Sequence, residues 1–185
     1  MTSSHPPQPG GSTSAALSRL LDATASALQS IRAGQSGTAA LEATDALLRP
    51  GVQALLFQVL RNLGRAQALR SQLAVRKPPP WADALLCSAL ALAWDPEAAP
   101  YEPFTLVNQA VEAAKRNPAA RAQAAFINAS LRRFLRERQA LVAATSAWRS
   151  RKKRRRLALM NAAWARAAGL RLAASTAWLT RVKGS

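Results

Sequence analysis

The sequence predicts an all-α protein, a bundle of six to seven helices followed by a basic C-terminal tail. Three observations predict it. Ala and Leu supply most of an apolar fraction of 49% while β-branched residues are scarce, a balance that favours helices over strands. Apolar side chains recur at three- and four-residue spacing through most of the chain. Segments rich in Pro, Gly and Ser then cut that pattern into helix-sized pieces.

Residues 1–14, MTSSHPPQPGGSTS, read as a disordered leader. They have neither the apolar core nor the early positive charge of a secretory signal. A first helix is expected from Ala15 to Ala33, with Leu17, Leu20, Leu21, Leu28 and Ile31 on its inner side, Ser14 as its cap and Gly34 as its stop. A second is expected from Thr38 to Leu48, with Thr38 at the N-cap. Pro50 opens a third, because proline suits a first helical turn. Val52, Leu55, Leu56, Val59, Leu60 and Leu63 give this helix a stripe wide enough for more than one neighbour. Gly64 is expected to break or kink it, leaving a shorter helix over 65–74, and Lys77 to Pro80 forms a loop.

The fourth helix, Trp81 to Ala93, is apolar almost all round, with Asp83 its lone charge. Such a helix belongs at the centre of a bundle. Residues 95–100 are a loop. Pro103 opens a fifth helix, with Val107, Val111 and Ala114 on one side. It closes on Lys115 and Arg116, where cations suit the helix dipole, and Asn117-Pro118 ends it. A long sixth helix is expected from Ala119 to Ala144. Ile127, Leu131, Phe134, Leu135, Leu141 and Val142 face inward, and Arg132, Arg133, Arg136 and Arg138 crowd the other side. Some 130 residues of helix are enough for one core.

Charge is unevenly placed. The 185 residues hold 26 Lys and Arg against 9 Asp and Glu, a formal charge of +17. Residues 1–148 carry 15 basic and 9 acidic side chains, hence +6, and residues 149–185 carry 11 basic and no acidic ones, hence +11. A field of that sign favours polyanions, either nucleic acid or an anionic membrane surface. No stretch of 18 apolar residues is free of charge; the nearest, Leu157 to Leu179, is interrupted by Arg166 and Arg171. No transmembrane helix is expected, and a cytoplasmic protein is.

Chemistry-bearing motifs are absent from the sequence. There is no phosphate-cradling glycine loop, no metalloprotease helix and no paired carboxylates in a plausible cleft. The single Cys87 and single His5 exclude an intramolecular disulfide and a multi-His metal site. Cys87 lies in the most apolar helix, where a thiol resists ionisation and packs as an inert core group. Glu97 and Glu102 read as solvated loop residues beside prolines, and His5 carries no assignable role. No metal, no cofactor and no small-molecule substrate are expected.

The informative stretch is Phe126 to Arg138. Asn128, Arg132 and Arg136 are spaced by four and share one helix face, and Arg133 is one step away. A row of guanidiniums on a rigid helix suits bidentate contacts to phosphates. Charge alone does not separate this from a solvated helix face on which Glu137 is a partial counter-ion.

Val107-Asn108-Gln109-Ala110-Val111-Glu112-Ala113-Ala114-Lys115-Arg116, followed by Phe126 to Arg138, resembles the paired signature of the NusB-like domain. The likeness is to the version at the N-terminus of the RsmB/Sun family of ribosomal RNA cytosine-5 methyltransferases. That version reads "VNEAVE-x-AK", a short spacer, then "FVNAVLRRFLRER"; Gln109 here replaces Glu and Ser130 replaces Val. The segment from Val52 to Arg61 and the segment from Pro78 to Leu86 are similar to earlier family helices by pattern. The resemblance covers about Leu17 to Ala144. It implies a compact helical RNA-binding module that helps dock a methyltransferase on small-subunit ribosomal RNA. It further implies that Asn128 caps or bridges backbone and that Arg132 pairs with an acid such as Glu112. Arg133, Arg136 and Arg138 are then the stronger phosphate candidates, with Lys115 and Arg116 extending the patch.

Members of that family continue into an S-adenosylmethionine-binding domain that carries the nucleophilic cysteine. This sequence departs from them after Thr145, so no methyltransferase activity is expected of the chain itself. The tail opens on Arg151, Lys152, Lys153, Arg154, Arg155 and Arg156, and holds Trp148, Trp164 and Trp178. It has two readings: a basic nucleic-acid arm followed by an amphipathic helix, or translation of a GC-rich gene in a shifted frame, which truncates the family sequence. The second is favoured by the loss of every acid and the excess of Arg, Ala and Trp. Translating the gene in its other two frames past codon 145 checks it. Two alternatives to the methyltransferase-type module remain open: a stand-alone NusB-type transcription antitermination factor, and a membrane-surface binder acting through Leu157 to Lys183.

Overall fold

A computed structural model describes residues 12–147 except 96, 98, 100 and 119, and also 150, 151, 154, 157–160 and 163. The chain divides into two compact units, residues 1–142 and 143–185. Among the described residues the first unit is built of helices: α1 (Ser12–Arg32), α2 (Gly37–Glu42), α3 (Arg49–Leu73), α4 (Pro80–Leu92), α5 (Pro103–Arg116), a 3-10 turn (Arg121–Gln123) and α6 (Ala124–Arg136). A further helical stretch begins at residue 138. The protein is all-α, as its composition predicts.

The centre of the first unit is α4. Every residue from Trp81 to Ala93 is buried, and α4 packs against α1, α3, α5 and α6. An all-round apolar helix can bury itself only if it is surrounded, which is why the others arrange themselves about it. Leu21 and Leu28 of α1, Leu56 and Leu69 of α3, Leu106 of α5 and Ile127 and Phe134 of α6 complete one continuous core. Cys87 lies wholly inside it, and burial raises its thiol pKa further than a hydrogen bond from Arg32 pulls it back.

Helix ends follow the local chemistry. Pro50, Pro80 and Pro103 stand in the first turns of α3, α4 and α5, where the missing N–H is no loss. Gly34 has φ +102 and stops α1 in a left-handed conformation that glycine adopts freely.

Several boundaries differ from those the periodicity suggests. The first helix begins at Ser12, so Ser14 is inside its first turn rather than capping it; residues 1–11 of the leader, including His5, lie outside the described residues. The second helix is only Gly37–Glu42, and its cap is Ser36, whose Oγ accepts from the Ala39 N–H at 3.1 Å. Arg49 reaches back to the carbonyls of Glu42 and Thr44 and Asp45 accepts from the Leu47 N–H, so residues 43–48 form turns instead of helix.

The third helix runs unbroken through Gly64. A glycine in mid-helix costs about 1 kcal/mol, less than the roughly 1.5–3 kcal/mol from burying Leu69 alone beyond it. Leu60, expected in the buried stripe, is 37% exposed. The long sixth helix is three pieces: the 3-10 turn, α6, and the stretch from residue 138. The break falls at Glu137, at φ −106 and ψ 19.

One charged cluster is built into the core. Asp83, in the first turn of α4, is 3% exposed. Arg32 Nη1 donates to its Oδ2 at 3.0 Å, and Arg70 Nε lies 2.9 Å from Oδ1, an ion pair off the line of a hydrogen bond. Arg32 and Arg70 stand in the last turns of α1 and α3. Each charge thus sits at the helix end whose dipole favours it. Trp81 Nε1 donates to Ser26 Oγ at 3.2 Å and ties α4 to α1 a second time.

In the second unit, residues 143–147 are helical, as are 150, 151, 154, 157–160 and 163. Arg151, Arg154, Leu157, Leu159 and Met160 are exposed. Lys152, Lys153, Arg155 and Arg156 lie outside the described residues, as do Trp148, Trp164 and Trp178.

Candidate nucleic-acid interface

Helix α6 is strongly two-sided. Ala124, Ile127, Ser130, Leu131 and Phe134 are buried, which fixes its rotation against the core. Arg132, Arg133 and Arg136 are therefore turned to solvent. Four residues of helix rise about 6 Å, so Arg132 and Arg136 stand one turn apart on a rigid support.

The three guanidiniums are not equivalent. Arg132 Nε donates to Asn128 Oδ1 at 3.0 Å. The amide is neutral, so Arg132 is oriented without losing its charge. The expected pairing of Arg132 with Glu112 is not formed: Glu112 binds Lys115 at 2.8 Å instead. Asn128 serves Arg132 rather than capping backbone. Arg133 and Arg136 both bind Glu137, at 3.0 and 3.3 Å. The Arg133 hydrogen bond is the main reason the Glu137 carboxyl is held below its ordinary pKa. Two cations sharing one anion leave a net positive charge, and all three side chains are more than a third exposed, so solvent weakens both pairs.

Arg138 does not belong to that solvent-facing row. Its Nη2 donates to the carbonyls of Ala93 and Trp94 at 2.6 Å each, and its guanidinium lies over the Phe134 ring, 5.5 Å from the centroid. Burial lowers its pKa, partly opposed by Asp95. Its fixed partners are carbonyls left open at the end of α4, and reaching them takes Arg138 out of the α6 helix register.

Lys115 and Arg116 are exposed in the last turn of α5. Arg121 joins them, its Nε donating to the Lys115 carbonyl at 3.1 Å. Nearby, burial raises the Asp22 pKa, while a hydrogen bond from Asn117 and the charge of Arg116 oppose the rise. These cations flank the turn into α6, whereas Arg132, Arg133 and Arg136 occupy its last two turns, so they form two basic patches. The chain matches the NusB family over residues 15–136, from the first turn of α1 to the last residue of α6. It belongs to the NusB family. No curated protein matches it at a significant level.

Both basic patches of this NusB-family chain lie inside the matched region, and Glu137 and Arg138 follow directly after it. Sequence spacing did not find Arg121, which stands alone between alanines, or the contact of Arg65 over Trp94, 5.3 Å to the ring centroid. Asp83 is different: a lone carboxylate in an apolar helix is a visible signal of a buried partner. Among the described residues no cluster of three His, Cys, Asp or Glu could hold a metal ion, and no helix is long and apolar enough to cross a membrane.

Proposed function

We propose that residues 15–136 are an RNA-binding module that docks on the backbone of small-subunit ribosomal RNA, as the N-terminal domain of the RsmB/Sun methyltransferases does. The observation that carries this reading is the set Arg132, Arg133 and Arg136, exposed on a helix whose other face is locked in the core. A-form RNA is recognised largely by shape, phosphates and 2′-hydroxyls, and a rigid basic face suits that task without a base code. The module binds and positions; it transfers no methyl group. Lys115, Arg116 and Arg121 extend the contact at the other end of α6. The family match bears equally on a stand-alone antitermination factor, which would use the same basic face on a different RNA.

The test is RNA binding as a function of salt. Arg133→Ala with Arg136→Ala should weaken binding and flatten the slope of log K against log salt by about 1.4–1.8, or 0.7 for each lost phosphate contact on a single strand and 0.9 on a duplex. Helicity should not change, because both side chains are exposed. Unchanged affinity in moderate salt would mean the row is merely solvated. Comparing a small-subunit ribosomal RNA fragment with an antitermination-type leader RNA separates the two RNA readings.

A further inference from the structure

A further cationic feature of the first unit has no part in either basic patch. Trp94 follows the buried run of α4 and is half-buried. The guanidinium of Arg65, an exposed residue of α3, lies over its ring at 5.3 Å from the centroid. Arg65 Nη1 also donates to Asn62 Oδ1 at 3.3 Å, one helical turn away. The planar cation is thus held from two sides. Arg138 holds the carbonyls of Ala93 and Trp94 at 2.6 Å, which fixes the backbone under the indole. Arg61, one turn earlier on α3, is exposed as well. Asp95, the residue after Trp94, adds a carboxylate at this end, and its Oδ1 accepts from the Glu97 N–H at 3.1 Å.

The place of this pair in the fold gives it meaning. Arg138 contacts the Trp94 carbonyl with one end and the Phe134 ring of α6 with its face, and α3 touches α6. The Arg65–Trp94 pair therefore adjoins the C-terminal end of α6, where Arg133 and Arg136 meet Glu137. Phosphate contacts alone read no base. A planar guanidinium backed by an indole offers a flat surface on which an unstacked base can lie, and stacking of bases on aromatic rings and on arginine planes is the usual anchor for single-stranded RNA. A lysine at position 65 would supply the charge but not the plane.

We infer that the Arg65–Trp94 pair is a base-stacking subsite: one unpaired base lies on the solvent side of the Arg65 guanidinium while neighbouring phosphates meet the α6 row. This rests on the RNA-binding reading above and adds to it the residues that would favour an unpaired nucleotide over a bare backbone.

The test uses the full chain and two probes of equal phosphate number, a short oligouridylate and the corresponding abasic sugar-phosphate strand. The wild-type chain should bind the oligouridylate about tenfold more tightly than the abasic strand. Trp94→Leu should remove most of that preference and leave abasic binding unchanged, while Trp94→Tyr should keep it. Arg65→Lys, at an exposed position that does not endanger folding, should lower the preference several-fold at constant charge. Equal binding of both probes by the wild-type chain, or full preference in a well-folded Arg65→Lys variant, overturns the subsite and leaves the phosphate row standing. Binding of neither probe overturns the subsite together with the RNA reading.

Discussion

Asp83 shows how a single residue can carry more structure than its class suggests. It is the only carboxylate in α4, and it neutralises cations from two other helices. Three helix ends, those of α1 and α3 and the start of α4, converge on one buried group. Removing one partner from such a cluster leaves uncompensated buried charge, which costs about 3–5 kcal/mol. Asp83→Asn, nearly isosteric, should lower unfolding stability by about that amount in a urea melt, and a loss below about 1 kcal/mol would show that solvent reaches Arg32 and Arg70. Residue-scale legibility followed from the range of the interactions. The exposure of Arg132, Arg133 and Arg136 can be read from spacing, because α6 places its buried face by local periodicity. Arg138 cannot be read that way: its carbonyl partners are 44 and 45 residues distant in sequence, and only the packed end of α4 brings them within reach.

At the scale of elements, α4 and α5 follow directly from pattern and proline placement, whereas α3 and the α6 region do not. In α3 the local signal of Gly64 is real but small, and burial on both sides of it outweighs it. In the α6 region the periodicity runs on past residue 136, but the helix breaks at Glu137, and Arg138 beyond it turns to the carbonyls of Ala93 and Trp94. The end of the basic row therefore coincides with that break. Gly64 yields a direct check. It is exposed and helical, so Gly64→Ala should stabilise the protein by about 0.5–1 kcal/mol and raise Tm by about 1–4 °C. A lowered Tm would mean that the backbone at Gly64 is needed for a close approach that its exposure does not suggest.

On the scale of the whole molecule, the two units carry very different charge. Residues 149–185 hold 11 basic side chains and no acid, against a net +6 for residues 1–148. A folded basic face and an acid-free tail act on a polyanion in the same direction, but they leave different marks on its salt dependence. If all 11 tail cations met phosphates of a single strand, the slope of log K against log salt would steepen by about 8. The folded module alone, with three exposed cations on α6 and Lys115, Arg116 and Arg121 at its other end, should give a slope of about 4 on the same scale. A full chain whose slope exceeds that of residues 1–148 by about 3 or more would place the tail on the RNA, and the two should converge in affinity as salt rises toward 1 M. Equal slopes would take the tail off the RNA. If the full chain then bound anionic vesicles and residues 1–148 did not, Leu157, Leu159 and Met160, exposed among the tail's cations, would be an anchor for a lipid surface. Failure of residues 1–148 to bind RNA at low salt would remove the module itself from RNA recognition, whatever the tail does.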